Sequence, residues 1–187
     1  MRTDIDKAYE VLIRGGVILY PTDTVWGIGC DATNAEAVRR ICQIKERSDS
    51  KSMLVLLDTS AKLDYYVEDV PDIAIDLIEL SDKPLTIIYP KARNLPAELI
   101  ADDGTIGIRI TTEAFSRELC RKLKRPLVST SANISGTPAP ALFAEIDRKI
   151  IQSVDYVVDY RRDDTRPAKP SSIIRVGEGG LIKIIRE

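Results

Sequence analysis

The densest run of ligand-capable groups is Ser129-Thr130-Ser131-Ala132-Asn133-Ile134-Ser135-Gly136. Hydroxyls, a carboxamide and unpaired backbone N–H groups in one loop can wrap an anion, or hydrogen-bond a sugar and a base. The same residues also make a turn that caps its own backbone, and composition alone favours the turn. The apolar strand leading into the loop brings the two readings level. A second segment is Lys45-Glu46-Arg47, with Lys51 beyond Ser48-Asp49-Ser50. Lys and Arg at this spacing can converge on a polyphosphate, Arg as a fork and Lys as a point charge. Cations at a helix C-terminus are favoured by the macrodipole anyway, and taken alone that account is the better one. Arg109 interrupts the apolar run Ile106-Gly107-Ile108-Arg109-Ile110. It faces either solvent at an edge or a concave site, where a carboxylate is the typical partner of a guanidinium. Arg161, Arg162, Arg166 and Lys169 cluster but are diluted by Asp163 and Asp164, so they read as a solvated loop before a nucleic-acid patch. Trp26 could stack on a base, though core packing is the commoner use.

What the 187-residue chain lacks is as informative. It has no histidine, which removes Ser-His-Asp and Cys-His catalysis, H-E-x-x-H metal sites and Cys/His zinc fingers. Chemistry must run on Lys, Arg, carboxylates, hydroxyls, backbone amides or a bound cofactor. No P-loop or dinucleotide-binding glycine fingerprint is present. A net charge of -2 supplies no chain-wide basic field. Cys30, Cys42 and Cys120 are scattered and odd in number, which fits reduced thiols. No apolar run approaches a membrane span of ~20 residues, and the first residues show no leader pattern, so the expected setting is cytoplasmic, away from membranes.

These segments need a scaffold, and the hydropathy pattern provides one. Helical spacing covers 3–14, with Thr3 and Asp6 placed as a capping box, and 35–46, capped by Asn34. Further helices are expected over 71–80, from Thr112 to 123, and over 141–150. Strands are expected at 17–20, 53–57, 85–89, 106–110, 127–129, 154–158, 172–176 and 181–185. The fold class is therefore mixed α/β, one domain spanning 1–187. Three strand ends open into polar segments: Pro21-Thr22-Asp23-Thr24, the 129–136 loop, and Ser171-Ser172. Such ends form the ligand edge of open α/β sheets.

Order and spacing add what no segment gives separately. Tyr20-Pro21-Thr22-Asp23-Thr24-Val25-Trp26-Gly27-Ile28-Gly29, then Lys45-x-Arg47, then Ile106-Gly107-Ile108-Arg109, then Ser131-Ala132-Asn133-x-Ser135-Gly136 resembles the YrdC/TsaC family of threonylcarbamoyl-adenylate synthases. The resemblance runs from about residue 5 to the end. It implies a single-domain YrdC-like twisted mixed sheet with flanking helices and a concave ligand face. It implies synthesis of threonylcarbamoyl-AMP and pyrophosphate from L-threonine, bicarbonate and ATP. A partner complex would pass that product to tRNA. By the same resemblance Lys45 and Arg47 are the catalytic cations facing ATP phosphates. Thr24, Arg109, Ser131 and Ser171 form the threonine set, and Lys51, Thr105, Asn133 and Arg186 touch the nucleotide. No protein-held metal is implied; Mg²⁺ would accompany ATP through its phosphates. A non-catalytic module binding tRNA or double-stranded RNA on the same face is the competing reading.

Three departures from the family pattern bear on ligand contacts. The usual W-P-G-P-x-T stretch is Leu80-Ser81-Asp82-Lys83-Pro84-Leu85-Thr86 here, and the usual S-P-T is Ala139-Pro140-Ala141. Longer relatives carry a histidine near threonine where this chain has Leu56.

Overall fold

The computed structural model describes residues 1–46 and 53–187. Its elements follow the periodicity closely. The helix α1 (Arg2–Ile13) buries Ile5, Ala8 and Leu12, one stripe at helical spacing, and leads into β1 (Ile18–Tyr20). After β2 (Gly27–Gly29), the side chain of Asn34 accepts from the N–H groups of Glu36 and Ala37 and starts α2 (Ala35–Ile44). Then come β3 (Leu54–Leu57), the short α3 (Leu63–Tyr66), α4 (Asp72–Leu80), β4 (Leu85–Tyr89) and β5 (Ile106–Ile110). The chain closes with α5 (Ala114–Leu123), β6 (Leu127–Ser131), α6 (Arg148–Ser153), β7 (Tyr156–Val157), β8 (Ser172–Val176) and β9 (Ile182–Arg186).

The strands form one mixed sheet in the order β7-β1-β2-β6-β3-β5-β4-β8-β9. Helices α1 and α5 pack together, α1 against β1 and α5 against β3, so that side of the sheet is the core. Neighbouring groups approach β2 closely because two of its three residues are glycine. A Cβ on Gly29 would sit 2.3 Å from the Val128 carbonyl oxygen and 2.7 Å from the Tyr20 ring. That proximity lets the Tyr20 hydroxyl donate to the Val128 carbonyl at 3.0 Å, wholly buried.

Three local expectations are corrected. The capping box at Thr3 and Asp6 does not form, because the helix already begins at Arg2 and Asp6 instead pairs with Lys122. The cap of α5 is Glu113 rather than Thr112; its carboxylate accepts from Phe115 and Ser116 at 3.1 and 2.8 Å. The helix expected over 141–150 splits. Glu145 takes the N–H groups of Ala141 and Leu142 and closes a tight turn, and α6 starts anew under Asp147. Two elements went unforeseen, β2 and α3. No helix of the described residues is long and apolar enough to cross a membrane.

Candidate active site

The site is built on cross-strand rows. One row runs Leu56, Arg109, Thr86, Ile173 and Arg186 across β3, β5, β4, β8 and β9. Ser129, Leu54 and Gly107 make the next row, two residues along each strand and so on the same face. Arg186 belongs to this face only through an irregularity. Ile174 opposes Ile184 but Ile173 opposes Arg186, so Ile185 is the extra residue of a β-bulge. Regular alternation would set Ile185 opposite Ile173 and turn Arg186 to the other face.

Above these rows lies a cavity of about 330 Å³. It brings together Thr24, Lys45, Arg109, Ser131, Asn133, Ser171 and Arg186, drawn from six separate stretches of chain. Ser129, Thr130, Ser135 and Gly136 complete its polar wall, and Ala139, Pro170 and Ile173 its apolar one. Arg47 and Lys51 lie outside the described residues. Thr105 is not brought to the cavity. It sits four residues before Arg109, about 13 Å along the strand, and its hydroxyl donates to Asp103 at 2.7 Å. Leu56 is fully buried and is not among the residues that line this cavity.

Arg109 is 3% exposed, and its Nε stands 3.0 Å from Oδ1 of Asp23, itself 8% exposed. The N–H is not aimed at that oxygen, so both atoms are in ionic contact yet make no hydrogen bond. Burial pushes the Asp23 carboxyl above its usual range even against the pull of the Arg109 guanidinium, and the same burial lowers Arg109. Sequence reasoning missed Asp23 as the buried counter-ion, since an acid in a Pro-Thr-Asp-Thr turn reads as a turn residue. The turn is held by Thr22, whose hydroxyl bonds Thr24 Oγ1 at 3.0 Å and the Val25 carbonyl at 2.8 Å. Arg161 ties the turn down from outside, donating to the Thr22 carbonyl at 3.0 Å. Arg162 donates to the Val157 and Val158 carbonyls. Half of the basic cluster is therefore structural clamp, not solvated loop. Trp26 is 6% exposed and packs on Phe143 at 4.8 Å between ring centroids, in line with the core reading.

Across the cavity, the Lys45 ammonium is bound to the wall made by the 129–136 loop. It donates to the carbonyls of Ser131 and Asn133 at 2.5 and 2.7 Å. On the far side, Ser171 shares a hydrogen bond with Thr86 at 2.9 Å, and its carbonyl accepts from Arg186 Nε at 2.9 Å. Among the described residues no three His, Cys, Asp or Glu side chains group as a metal site. Asp23, the acid beside the cavity, already faces Arg109. A second cavity of about 500 Å³ lies by the start of α4, lined mainly by Val70, Pro71, Ile73, Pro90 and glycines. Its charged lining residues are Asp69, Asp72 and Lys91, and Lys91 pairs with Asp69 at 3.1 Å.

Residues 10–187 match the Sua5/YciO/YrdC family, described as telomere recombination. The chain belongs to this family. A threonylcarbamoyl-AMP synthase of Pseudoalteromonas translucida is 36% identical over 161 residues, 84% of this chain and 86% of that protein. One of Thiobacillus denitrificans is 36% identical over 176 residues, 94% and 92%. Escherichia coli YciO superposes with a TM-score of 0.85 at 25% identity, over all of this chain and 90% of that one. Pyrococcus abyssi Sua5, solved with L-threonine, has the same fold, with a TM-score of 0.85 at 24% identity over 97% of this chain. This chain spans about half of Sua5, 53% of its length.

Proposed function

We propose that this chain is a threonylcarbamoyl-AMP synthase. The observation that carries the reading is the match, at 36% identity over 94% of the chain, to a protein of that name whose length it nearly equals. The cavity suits the chemistry. L-Threonine and bicarbonate give an N-carboxylate and water, and an oxygen of that carboxylate attacks the α-phosphorus of ATP as pyrophosphate leaves. Every partner in this step is an anion, and little proton transfer is asked of the protein. What accelerates it is holding the anions together and neutralising charge as it shifts. A chain without histidine can do both.

In this reading Arg109 presents its free fork to the threonine carboxylate, flanked by Thr24, Ser131 and Ser171. Arg186 comes from three strands further along the same row, its guanidinium reaching back to Ser171, and serves the nucleotide. Arg47 and Lys51 would add phosphate contacts. Thr105 has no place in this assignment. Mg²⁺ would enter with the triphosphate as part of the substrate, held through its phosphates. The product would pass to a tRNA-modifying complex.

The test is direct. Purified protein with ATP, Mg²⁺, L-threonine and bicarbonate should yield threonylcarbamoyl-AMP by mass spectrometry, and pyrophosphate only when all are present. Pyrophosphate release independent of threonine, or no product beyond a protein-free control, overturns the proposal.

A further inference from the structure

We infer that Lys45 and Asn133 are positioning residues, which hold the 131–137 loop in the shape that receives the nucleotide and do not touch the nucleotide themselves. The inference rests on the nucleotide-binding reading above, and it assigns these two residues a different task from the phosphate and base contacts that their motif suggests.

The Lys45 side chain is almost wholly buried, 3% exposed, at the end of α2. An ammonium has three protons and no lone pair. Two of its protons go to the carbonyls of Ser131 and Asn133, and Oδ1 of Asn133 lies at 3.4 Å. The main chain answers in the other direction, since the N–H of Ser135 donates to the Lys45 carbonyl at 2.9 Å. Four bonds thus stitch one residue of α2 to both arms of the loop.

Asn133 closes the loop from inside. Its Oδ1 accepts from the Ser131 hydroxyl at 2.5 Å, and its Nδ2 donates to the carbonyls of Ile134 and Thr137 at 3.1 and 2.6 Å. Both amide protons are therefore used within the loop, and none remains for a base or a ribose. Lys45 leaving for a phosphate would take the donor from two half-buried carbonyls, a cost that its present bonds avoid. Drawing carbonyls toward α2 leaves other loop groups for a ligand. The N–H groups of Ile134 and Gly136 donate to no described acceptor. Gly136 lines the cavity with φ 84°, a left-handed conformation that suits a backbone anion nest.

The two roles separate on a ligand without phosphates. Lys45→Met and wild type are titrated with ATP and with adenosine by calorimetry. A positioning role weakens both ligands by the same factor, tenfold or more, while Lys45→Arg, which can still donate to two carbonyls, recovers part of both. The far-UV circular dichroism should stay that of wild type, which general loss of structure would not allow. If Lys45→Met fails to fold, Lys45→Gln is read by the same pair of ligands with the same expectation. An ATP affinity that falls while adenosine binds as in wild type identifies a phosphate contact and overturns the inference, as does no change in either. A wild-type protein that binds neither ligand removes the nucleotide reading itself, a distinguishable result.

Discussion

The molecule holds two arginine–aspartate pairs that share a composition and differ in everything else. At the sheet edge, Arg40 meets Asp155 with both Nη groups, at 2.5 and 3.0 Å, and adds the Ser153 carbonyl at 3.2 Å. Asp155 also accepts the Val17 N–H at 2.7 Å, which fixes the entry to β1. Both Nη groups of Arg40 are engaged, as in a structural fork. At the sheet centre, Arg109 touches Asp23 only through Nε, misaligned, and its fork donates to no described residue. A buried cation with its fork left over is an unfinished arrangement, and a ligand carboxylate completes it. The difference separates an arginine that holds the fold from one that waits for a substrate.

Removing the waiting fork should have the largest effect. Arg109→Ala deletes two charge-assisted hydrogen bonds to the carboxylate, each worth about 1.5–3 kcal/mol. A loss of roughly 100-fold or more in kcat/KM for L-threonine follows from one such pair. Steady-state kinetics with each substrate varied should show the KM for ATP nearly unmoved. An equal loss toward both substrates would mean that Arg109 merely supports the sheet.

Next comes the counter-ion. Asp23→Leu leaves a nearly buried guanidinium with no polar partner at all, and breaking such a pair costs about 3–5 kcal/mol. Urea unfolding should report this as a shifted midpoint with an unchanged slope. The double variant Asp23→Leu with Arg109→Met should recover much of that stability, because replacing both charges by apolar groups is often neutral. It should recover no activity. Stability and activity would thus part company at the centre. At the edge, Arg40→Ala should cost under about 1 kcal/mol, since the pair is well exposed, and leave kcat/KM at the wild-type value.

This contrast also marks what a reader of the sequence could and could not obtain. The spacing of Ile5, Ala8 and Leu12, or of Ala37, Val38 and Ile41, is a local signal, and those helices lie close to where periodicity puts them. Ile106–Ile110 was legible as a strand with Arg109 in it. Its counter-ion was not, because Asp23 and Arg109 meet across 86 positions and no local rule pairs them. The bulge at Ile185 has no sequence mark either, yet it alone decides that Arg186 faces the cavity. Glycines at 27 and 29 hid β2, since glycine is depleted in strands and is tolerated here by the close approach of Val128 and Tyr20. Lys45 was found by motif, while the direction of its ammonium depends on where the 131–137 loop folds back. Local pattern gave elements and candidates; long-range register gave each candidate its orientation.

The smallest expected effect is the dependence of stability on pH, and it should have opposite signs at the two pairs. Bonding to Arg40 holds the Asp155 carboxyl below its ordinary value. Its contribution is therefore present above the unfolded value of about 3.9 and is lost as pH falls through the lower folded value. Burial holds Asp23 above its ordinary value, so the native state binds that proton first. Its effect on stability falls as pH rises between the unfolded and folded values, and acid does not unfold the protein through this group. Asp155 is more than a third exposed, so its share is screened to under about 1 kcal/mol. Urea midpoints taken from neutral pH down to about pH 3 should show a shallower acid limb in Asp155→Asn. In Asp23→Asn the limb should steepen, because the opposing term is gone. A shallower limb in both variants would mean that Asp23 is ionised and stabilising, as Asp155 is, and that the centre pair is an ordinary structural ion pair.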